Sequence, residues 1–324
     1  MYYPNSIEEI SYDKEHIEKV LTEIRVNFSD YFHEFISTEQ GQSPSDDKFS
    51  ELASKFKIVV NEKKKNSIGK DVVLQRIIDE SISDFEKDRK KYLEILDVEF
   101  LSEYDRNPTP FHKKVLRDEC PIIRYTIQNK AAKELDKYRY EFSIADSGHL
   151  LKVVTNLTNF ANEYSRNIYK SELYDKVNNP SDLKLDSLNS EDYTAYGVIG
   201  GGIKSHFLYK LFPNIFPNRS REAIWALWYL TSKKSFDCKQ DSEFLMISTK
   251  ENITQQNFFY PYDLFVYYGI KILNFIRKES AKLNISISND YQFVILDFFF
   301  SYISKKHQSE INELKQKIKD DGYY

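Results

Sequence analysis

The chain has 324 residues, of which 41% are hydrophobic and 30% charged, and its formal net charge is −4. This composition is typical of a globular protein and excludes a disordered or fibrous one, while the length favours two domains over one. The longest apolar run, residues 293–300, contains Asp297 and is too short to span a bilayer. The first ten residues lack the basic and apolar regions of a secretion signal. We therefore expect a cytoplasmic protein with no membrane segment.

Apolar residues recur every three or four positions through most of the chain, and this spacing predicts a mainly α fold. In the N-terminal half, the predicted helices cover residues 13–36, 71–103, 121–142 and 149–177. Residues 178–192 are polar and contain a proline, so we place a domain boundary there. The predicted organisation is an all-helical region, residues 1–180, followed by an aromatic-rich α+β region, residues 193–324.

The C-terminal region is predicted to combine helices with a small hairpin or sheet. Residues 243–248 and 253–260 form two strand-like segments separated by a short polar connection, which predicts a β-hairpin. A buried helix follows at residues 263–277, and a long helix ends the chain at residues 289–319. The charged tail of this last helix keeps apolar residues at helical spacing, so we expect it to support self-association or to dock on a protein partner. These apolar residues are Ile311, Leu314 and Ile318.

A short motif combines an arginine and a histidine in a helical setting. Arg106 and His112 are separated by five residues and lie between predicted helices. This spacing resembles the ribonuclease motif of HEPN domains, in which four to six residues separate the two. The resemblance implies that His112 would be the acid–base group and that Arg106 would stabilise phosphate charge. The alternative is a proline-rich corner between helices, because Pro108 and Pro110 lie inside the motif.

Two other segments carry the acid-and-lysine pattern of restriction nucleases, in which carboxylates hold Mg²⁺ and a lysine helps to activate water. The first consists of Asp46 or Asp47 with Glu62 and Lys64, and its alternative interpretation is a charged surface turn. The second consists of Asp241, Glu243 and Lys250, although a serine replaces the usual acid before the lysine. Mg²⁺ is therefore expected only if the protein is a nuclease, and no other metal site is predicted.

Three consecutive glycines precede a predicted helix in the second half of the chain. Gly200, Gly201 and Gly202 allow a tight turn, after which the first N–H groups of the helix point outward at the positive end of its dipole. Phosphate or carboxylate binds well at such a place, and Lys204 and Ser205 would stand beside it. The segment departs from a nucleotide-binding P-loop because Lys204 comes one place late. The alternative is a tight turn that enters a packed helix.

The same part of the sequence has a local excess of positive charge. Residues 204–239, the basic segment, contain seven basic and two acidic residues in a chain that is acidic as a whole. Basic residues interleaved with aromatic ones are typical of surfaces that bind nucleic acid or another polyanion. The basic residues expected to contact phosphate are Lys204, Lys210, Arg219 and Arg221. The alternative is an ordinary solvated face, and the apolar helix that follows is predicted to bury both tryptophans in the core.

These patterns leave three functions open. The first is a nucleic-acid-binding protein or nuclease, for which a role in microbial defence or restriction would fit. The second is a non-enzymatic interaction or scaffold protein that binds a protein partner through its aromatic C-terminal region. The third is a HEPN-like ribonuclease. The sequence contains no strong catalytic motif, which favours binding over catalysis, and any enzyme activity would be that of a phosphodiesterase.

Overall fold

The protein is mainly α-helical, as the apolar spacing predicts. The computed structural model describes residues 9–37, 69–132, 135–239, 241–247 and 260–321. The helices are α1 (Lys14–Phe35), α2 (Lys70–Ile95), α3 (Val98–Ser102), a π-helix (Phe111–Glu119), α4 (Pro121–Gln128), α5 (Asp136–Ile144), α6 (Ser147–Asn167), α7 (Ser171–Lys176), α8 (Gly201–Leu211), α9 (Arg221–Leu230), α10 (Tyr262–Lys282), α11 (Gln292–Lys306) and α12 (Gln308–Asp321). Short 3-10 helices span Glu9–Tyr12, Pro180–Leu183, Asp186–Asn189, Glu191–Tyr193 and Asn289–Tyr291.

Four helices predicted as continuous are interrupted. The predicted helix 121–142 is divided into α4 and α5, and the predicted helix 149–177 into α6 and α7. The other two are the predicted helices 71–103 and 289–319. The predicted helix 71–103 is divided into α2 and α3 because the side chain of Asp97 accepts a hydrogen bond from the backbone N–H of Phe100, at 2.9 Å, and starts a new helix. The predicted helix 289–319 is divided into α11 and α12 at His307. The apolar spacing continues across both breaks, so periodicity alone does not reveal them.

Helices α9 and α11 form the centre of the core. Every residue of α9 from Ala223 to Leu230 is buried, which confirms that this apolar helix and its two tryptophans lie in the core. Helix α11 packs against α9 and contributes Phe293, Leu296 and Phe299. Helices α1, α2 and α10 pack around this pair. Most of the aromatic residues of the C-terminal region are therefore buried in the protein's own core.

Helices from both sides of the predicted domain boundary pack together. Helix α1 contacts α9, α10 and α11, and α2 contacts α8 and α11. Residues 178–192 form short helices with three buried leucines. Tyr267 and Lys271 of α10 donate hydrogen bonds to the carbonyls of Asn178 and Val177. The division into two domains stays a prediction, and this packing gives a physical reason to expect the two regions to unfold together.

The predicted β-hairpin is not found in the described residues. Residues 241–247, which contain most of the first predicted strand, form turns and coil. The N–H of Leu245 closes a turn onto the carbonyl of Ser242, at 3.0 Å, and is therefore lost to any strand ladder. The sole strand pairing in the described ranges is an isolated bridge between Ala195 and Ile199. The α+β description of the C-terminal region is thus wrong for its described part, and residues 248–259 lie outside it.

Helix α12 already uses part of its apolar face within the molecule. Ile311 is 1% exposed, and Leu314 is half-buried against the same core. The side chain of Ile318 lies outside the described residues. Self-association or docking through this helix stays a prediction. The burial of Ile311 does not support it, because this side chain is not accessible to a partner. Among the described helices, none has the length and apolar character needed to cross a bilayer.

Candidate functional site

A tight turn lies at residues 196–198, before the three consecutive glycines and the start of α8, so it is formed at Gly197 rather than at Gly200, Gly201 and Gly202 as predicted. Gly197 has φ of 79°, and a Cβ at this position would lie 2.9 Å from side-chain carbons of Glu141. Gly200 is the N-cap residue of α8, and Gly201 and Gly202 open its first turn. Gly197 therefore allows the backbone turn and a close contact, whereas the atom nearest to a Cβ at Gly202 would lie 3.9 Å away. Anion binding at their N–H groups stays a prediction.

Lys204 lies next to this turn, but its side chain is directed into the protein. It is 7% exposed, and its Nζ donates hydrogen bonds to Oγ1 of Thr194, at 2.9 Å, and to the carbonyl of Leu188. Burial, followed by the positive charge of Arg219, lowers the pKa of Lys204 to about 8. Ser205 is likewise occupied, since its Oγ donates to the carbonyl of Gly202 and accepts from the N–H of Arg219, both at 3.0 Å.

Two further cations of the basic segment are enclosed. Nζ of Lys210 donates to Oδ1 of Asp88 at 2.6 Å and to the carbonyl of Phe85 at 2.8 Å. Arg219 is 4% exposed, and burial lowers its pKa to about 10. Arg221, at the start of α9, is exposed. Anion binding at these residues stays a prediction, and the burial of three of the four expected cations argues against a phosphate-binding surface there.

The remaining positive charge of the basic segment is partly neutralised by distant acids. Lys233 forms an ion pair with Glu310 of α12. Lys234 forms one with Glu23 of α1, at 2.6 Å. The sequence distances are 77 and 211 residues, so a local charge count does not reveal either pair.

His112 of the HEPN-like motif is a buried structural residue. It is 0% exposed, its Nδ1 lies 3.0 Å from Oγ of Ser147, and its Nε2 lies 2.8 Å from the carbonyl oxygen of Phe142. Burial lowers the pKa of His112, and the positive charges of Lys113 and Arg117 lower it further. Both ring nitrogens have protein partners, whereas Arg106 is exposed. Ribonuclease activity stays a prediction, and the enclosure of His112 argues against it.

Glu243 of the second nuclease-like pattern belongs to a buried hydrogen-bonded group. Its Oε1 lies 2.7 Å from Nε2 of His16, and its Oε2 accepts a hydrogen bond from the hydroxyl of Tyr260 at 3.0 Å. Asp241 is exposed, while Lys250 lies outside the described residues. The described ranges contain no group of three or more His, Cys, Asp or Glu side chains arranged to hold a metal ion. The first nuclease-like pattern, at residues 46–64, also lies outside these ranges.

An exposed surface with excess positive charge lies on the π-helix and α4. Arg117 forms a two-point ion pair with Asp118, with oxygen–nitrogen distances of 2.8 and 3.0 Å. Nη1 of Arg124 lies 3.5 Å from the carbonyl oxygen of Asp118. The hydrogen bonds from Arg117 lower the pKa of Asp118, and the charges of Arg117 and Lys114 add to this effect. The Asp118 carboxylate is therefore influenced by two cations, Arg117 and Lys114, and Arg124 contacts the backbone of the same residue.

Lys113 and Tyr125 extend this surface. Lys113 is exposed, and its Nζ donates a hydrogen bond to the carbonyl of Ser143, at 2.8 Å. Tyr125 is 61% exposed, and Cζ of Arg124 lies 5.0 Å from the centroid of its ring. Within the described residues, Lys113, Lys114 and Arg124 form no ion pair. We refer to Lys113, Lys114, Arg117, Arg124 and Tyr125 as the cationic surface.

The cationic surface is not predicted from the sequence, because its excess of positive charge is smaller than that of the basic segment. Asp118 and Glu119 directly follow three of its four cations in the sequence, and Arg124 comes five residues later. In the structure Glu119 turns away to form an ion pair with Lys91 of α2, at 2.7 Å, which leaves the cations opposed by Asp118. The signal in the sequence is a tyrosine directly after an arginine, Arg124 and Tyr125.

Comparison with protein-family models, curated proteins and solved structures finds no match to this chain.

Proposed function

We propose that the protein binds single-stranded nucleic acid through the cationic surface. The observation that carries the proposal is Tyr125, whose ring is 61% exposed and lies beside the guanidinium of Arg124 in a group of exposed cations. Proteins that bind single strands without base readout combine a basic surface with aromatic rings on which bases stack. The cationic surface has both components.

The charge of this surface is available to phosphates. Lys113 and Lys114 are exposed and Arg124 is half-exposed, and none forms an ion pair with a described residue. Arg117 shares the exposed Asp118, an ion pair that solvent screens and that contributes little to stability. A phosphate can therefore approach without disrupting a buried ion pair.

The backbone of this region also supports the proposal. The N–H of Cys120 donates to the carbonyl of Val115, five residues earlier and at 2.9 Å, which is the hydrogen-bond pattern of a π-helix. Such helices are rare and occur frequently at functional sites. Val115 and Leu116 anchor this one in the core, so Lys113, Lys114 and Arg117 project from a fixed support.

The test is the salt dependence of binding to an oligothymidine, measured by fluorescence anisotropy on the full chain. Four neutralised phosphates would give a slope of log K against log salt of about −3, since each contributes about −0.7 on a single strand. The variant carrying Lys114→Glu and Arg124→Glu should bind more weakly and reduce the slope to about −1.4.

The matched control carries Lys176→Glu and Lys278→Glu, which change the same charge at two exposed lysines of α7 and α10. We expect the control to bind like the parent protein. Absence of binding by the parent at low salt, or equal losses in the two double variants, would reject the proposal. A duplex of the same length should bind more weakly than the single strand, because its bases are not free to stack on Tyr125.

A further inference from the structure

A cavity of about 470 Å³ lies between the start of α1, residues 178–186 and the start of α10. This volume is within the range of small-molecule sites, about 300–1,000 Å³. Three carboxylates and two tyrosines contribute to its lining: Glu18, Asp186, Asp263, Tyr12 and Tyr267. Lys14 is the only cation among the described lining residues, so the cavity has an excess of negative charge. We refer to it as the acidic cavity.

Asp263 is the buried carboxylate of the acidic cavity. It is 4% exposed, and its Oδ1 accepts hydrogen bonds from the hydroxyl of Tyr12, at 3.3 Å, and the amide of Asn189, at 3.1 Å. In the part of the chain that the structure describes, its Oδ2 accepts no hydrogen bond and no cationic side chain forms an ion pair with it. Its place in the first turn of α10 offsets some of the cost of this buried charge. A cationic ligand would supply the missing counter-charge.

The surroundings of Asp263 add negative charge. Glu18 and Asp186 are exposed, and neither forms an ion pair with a described residue. Burial raises the pKa of Tyr12, and the charges of Asp263 and Asp186 raise it further. Burial raises the pKa of the neighbouring Tyr267, and the charges of Glu18 and Asp182 raise it further. A cation entering the cavity would therefore be attracted by more than one carboxylate.

The tyrosine rings of the acidic cavity favour an organic cation over a metal ion as its ligand. Nζ of Lys271 already lies 5.0 Å from the ring centroid of Tyr267 while donating to the carbonyl of Val177, so this ring accepts an ammonium group on one side. Tyr12 is 45% exposed and presents a second ring. The described acidic residues do not form a group of three arranged for a metal ion.

The geometry points to a binding site for a small organic cation with alkylammonium groups, a diamine or polyamine, in the acidic cavity. One ammonium would be neutralised by Asp263 and another by Glu18 and Asp186. This site is separate from the cationic surface, so its test does not depend on nucleic-acid binding. The same alkylammonium chemistry is present in a lysine side chain of another protein, and the probes below separate the two sources.

The test is isothermal titration calorimetry of the full chain at low salt with spermidine, 1,4-diaminobutane and the capped peptide acetyl-Gly-Lys-Gly-amide. We expect saturable binding of spermidine with one site per chain. Asp263→Asn should weaken binding by about tenfold or more, since it removes a charge from a poorly solvated position. The variant with Glu18→Gln and Asp186→Asn changes only exposed side chains, so it should remain folded and bind several-fold more weakly.

The charge-matched control carries Glu80→Gln and Asp290→Asn, two exposed acids on α2 and the 3-10 helix before α11. Unchanged affinity in this control supports the site, whereas equal weakening would identify non-specific counter-ion binding and overturn it. Lack of saturable heat with all three probes would also overturn it. Tighter binding of the amines than of the peptide assigns the cavity to a free amine, and the reverse order assigns it to a lysine of a protein partner.

Discussion

The Nζ atom of Lys204 lies 2.9 Å from Oγ1 of Thr194. The same ammonium donates to the carbonyl of Leu188, and it therefore fixes the short helices of residues 186–193 to α8. From the sequence, Lys204 is expected to bind an anion beside the glycines. In the structure its ammonium instead forms hydrogen bonds inside the protein. The pairing explains why the charge of Lys204 does not contribute to the surface charge of the basic segment.

We predict that Lys204 makes stability pH-dependent in alkaline solution. Burial lowers the pKa of its folded form to about 8, below the unfolded value of about 10.4, so the unfolded chain binds more protons between these values. The stability of the parent relative to a Lys204→Met variant should therefore rise by about 1–2 kcal/mol from pH ~8 to ~10. Urea unfolding of both proteins across this range measures the difference, and a constant difference would contradict the prediction. Nucleic-acid affinity should be unchanged in the variant.

Gly197→Ala is expected to destabilise the protein by about 1–3 kcal/mol, because φ of 79° is unfavourable for alanine and the added Cβ would lie 2.9 Å from Glu141. Gly202→Ala is the matched control. The nearest atom to its Cβ would be the carbonyl oxygen of Arg219, at 3.9 Å, and the position is helical, so we expect little change or a gain of about 0.5 kcal/mol. Thermal or chemical unfolding of both variants tests this contrast, which would fail if the two changed stability equally.

Tyr125→Ala should separate base stacking from charge attraction at the cationic surface. Loss of one stacking partner is expected to weaken oligothymidine binding by about 1–3 kcal/mol while leaving the salt slope unchanged. Heparin has no bases, so its affinity should not change. Tyr196→Ala, which removes a ring that is 54% exposed outside the cationic surface, is the control. Equal losses for heparin and oligothymidine would show that Tyr125 acts through packing rather than stacking.

Residues 178–192 should resist limited proteolysis despite their polar sequence. Asn179 and Asp182 form a reciprocal capping box, and hydrogen bonds from Tyr267 and Lys271 hold the preceding backbone against α10. Trypsin should therefore cleave slowly at the exposed Lys184 under native conditions. Mass spectrometry of early fragments measures this, and a first cut at Lys184 that releases two stable halves would instead support two separable domains.

The sequence predicts the helices well because their apolar faces repeat within a few residues. Helix α1 and the buried helix α9 were placed correctly on this basis. The prediction of a β-strand at residues 243–248 is wrong for residues 243–247, and for a different reason. Phe244, Met246 and Ile247 are apolar because they pack into the core as coil, and local apolar character does not distinguish such a segment from a strand.

The exposed positive charge of the protein could not be predicted from local sequence, because the acids that neutralise or release its cations are distant in the chain. Lys210 is neutralised by Asp88, and Lys234 by Glu23, both more than 100 residues away. Glu119 is removed from the cationic surface by Lys91. The acidic cavity has the same origin, since Asp263 and Tyr12 meet only when α10 packs against the start of α1.

Because of the π-helix, the arrangement of the cationic surface depends on the number of residues in this helix more than on their composition. Its hydrogen bonds connect residues five apart, so each turn holds more residues than an α-helical turn. Loss of a single residue within Phe111–Glu119 would allow an ordinary α-helical register, in which Lys113 and Lys114 rotate relative to Arg117. The protein would retain almost the same charge and hydropathy, while the relative positions of these cations changed. Insertions and deletions in this short segment are therefore expected to be far more damaging than substitutions among its exposed residues.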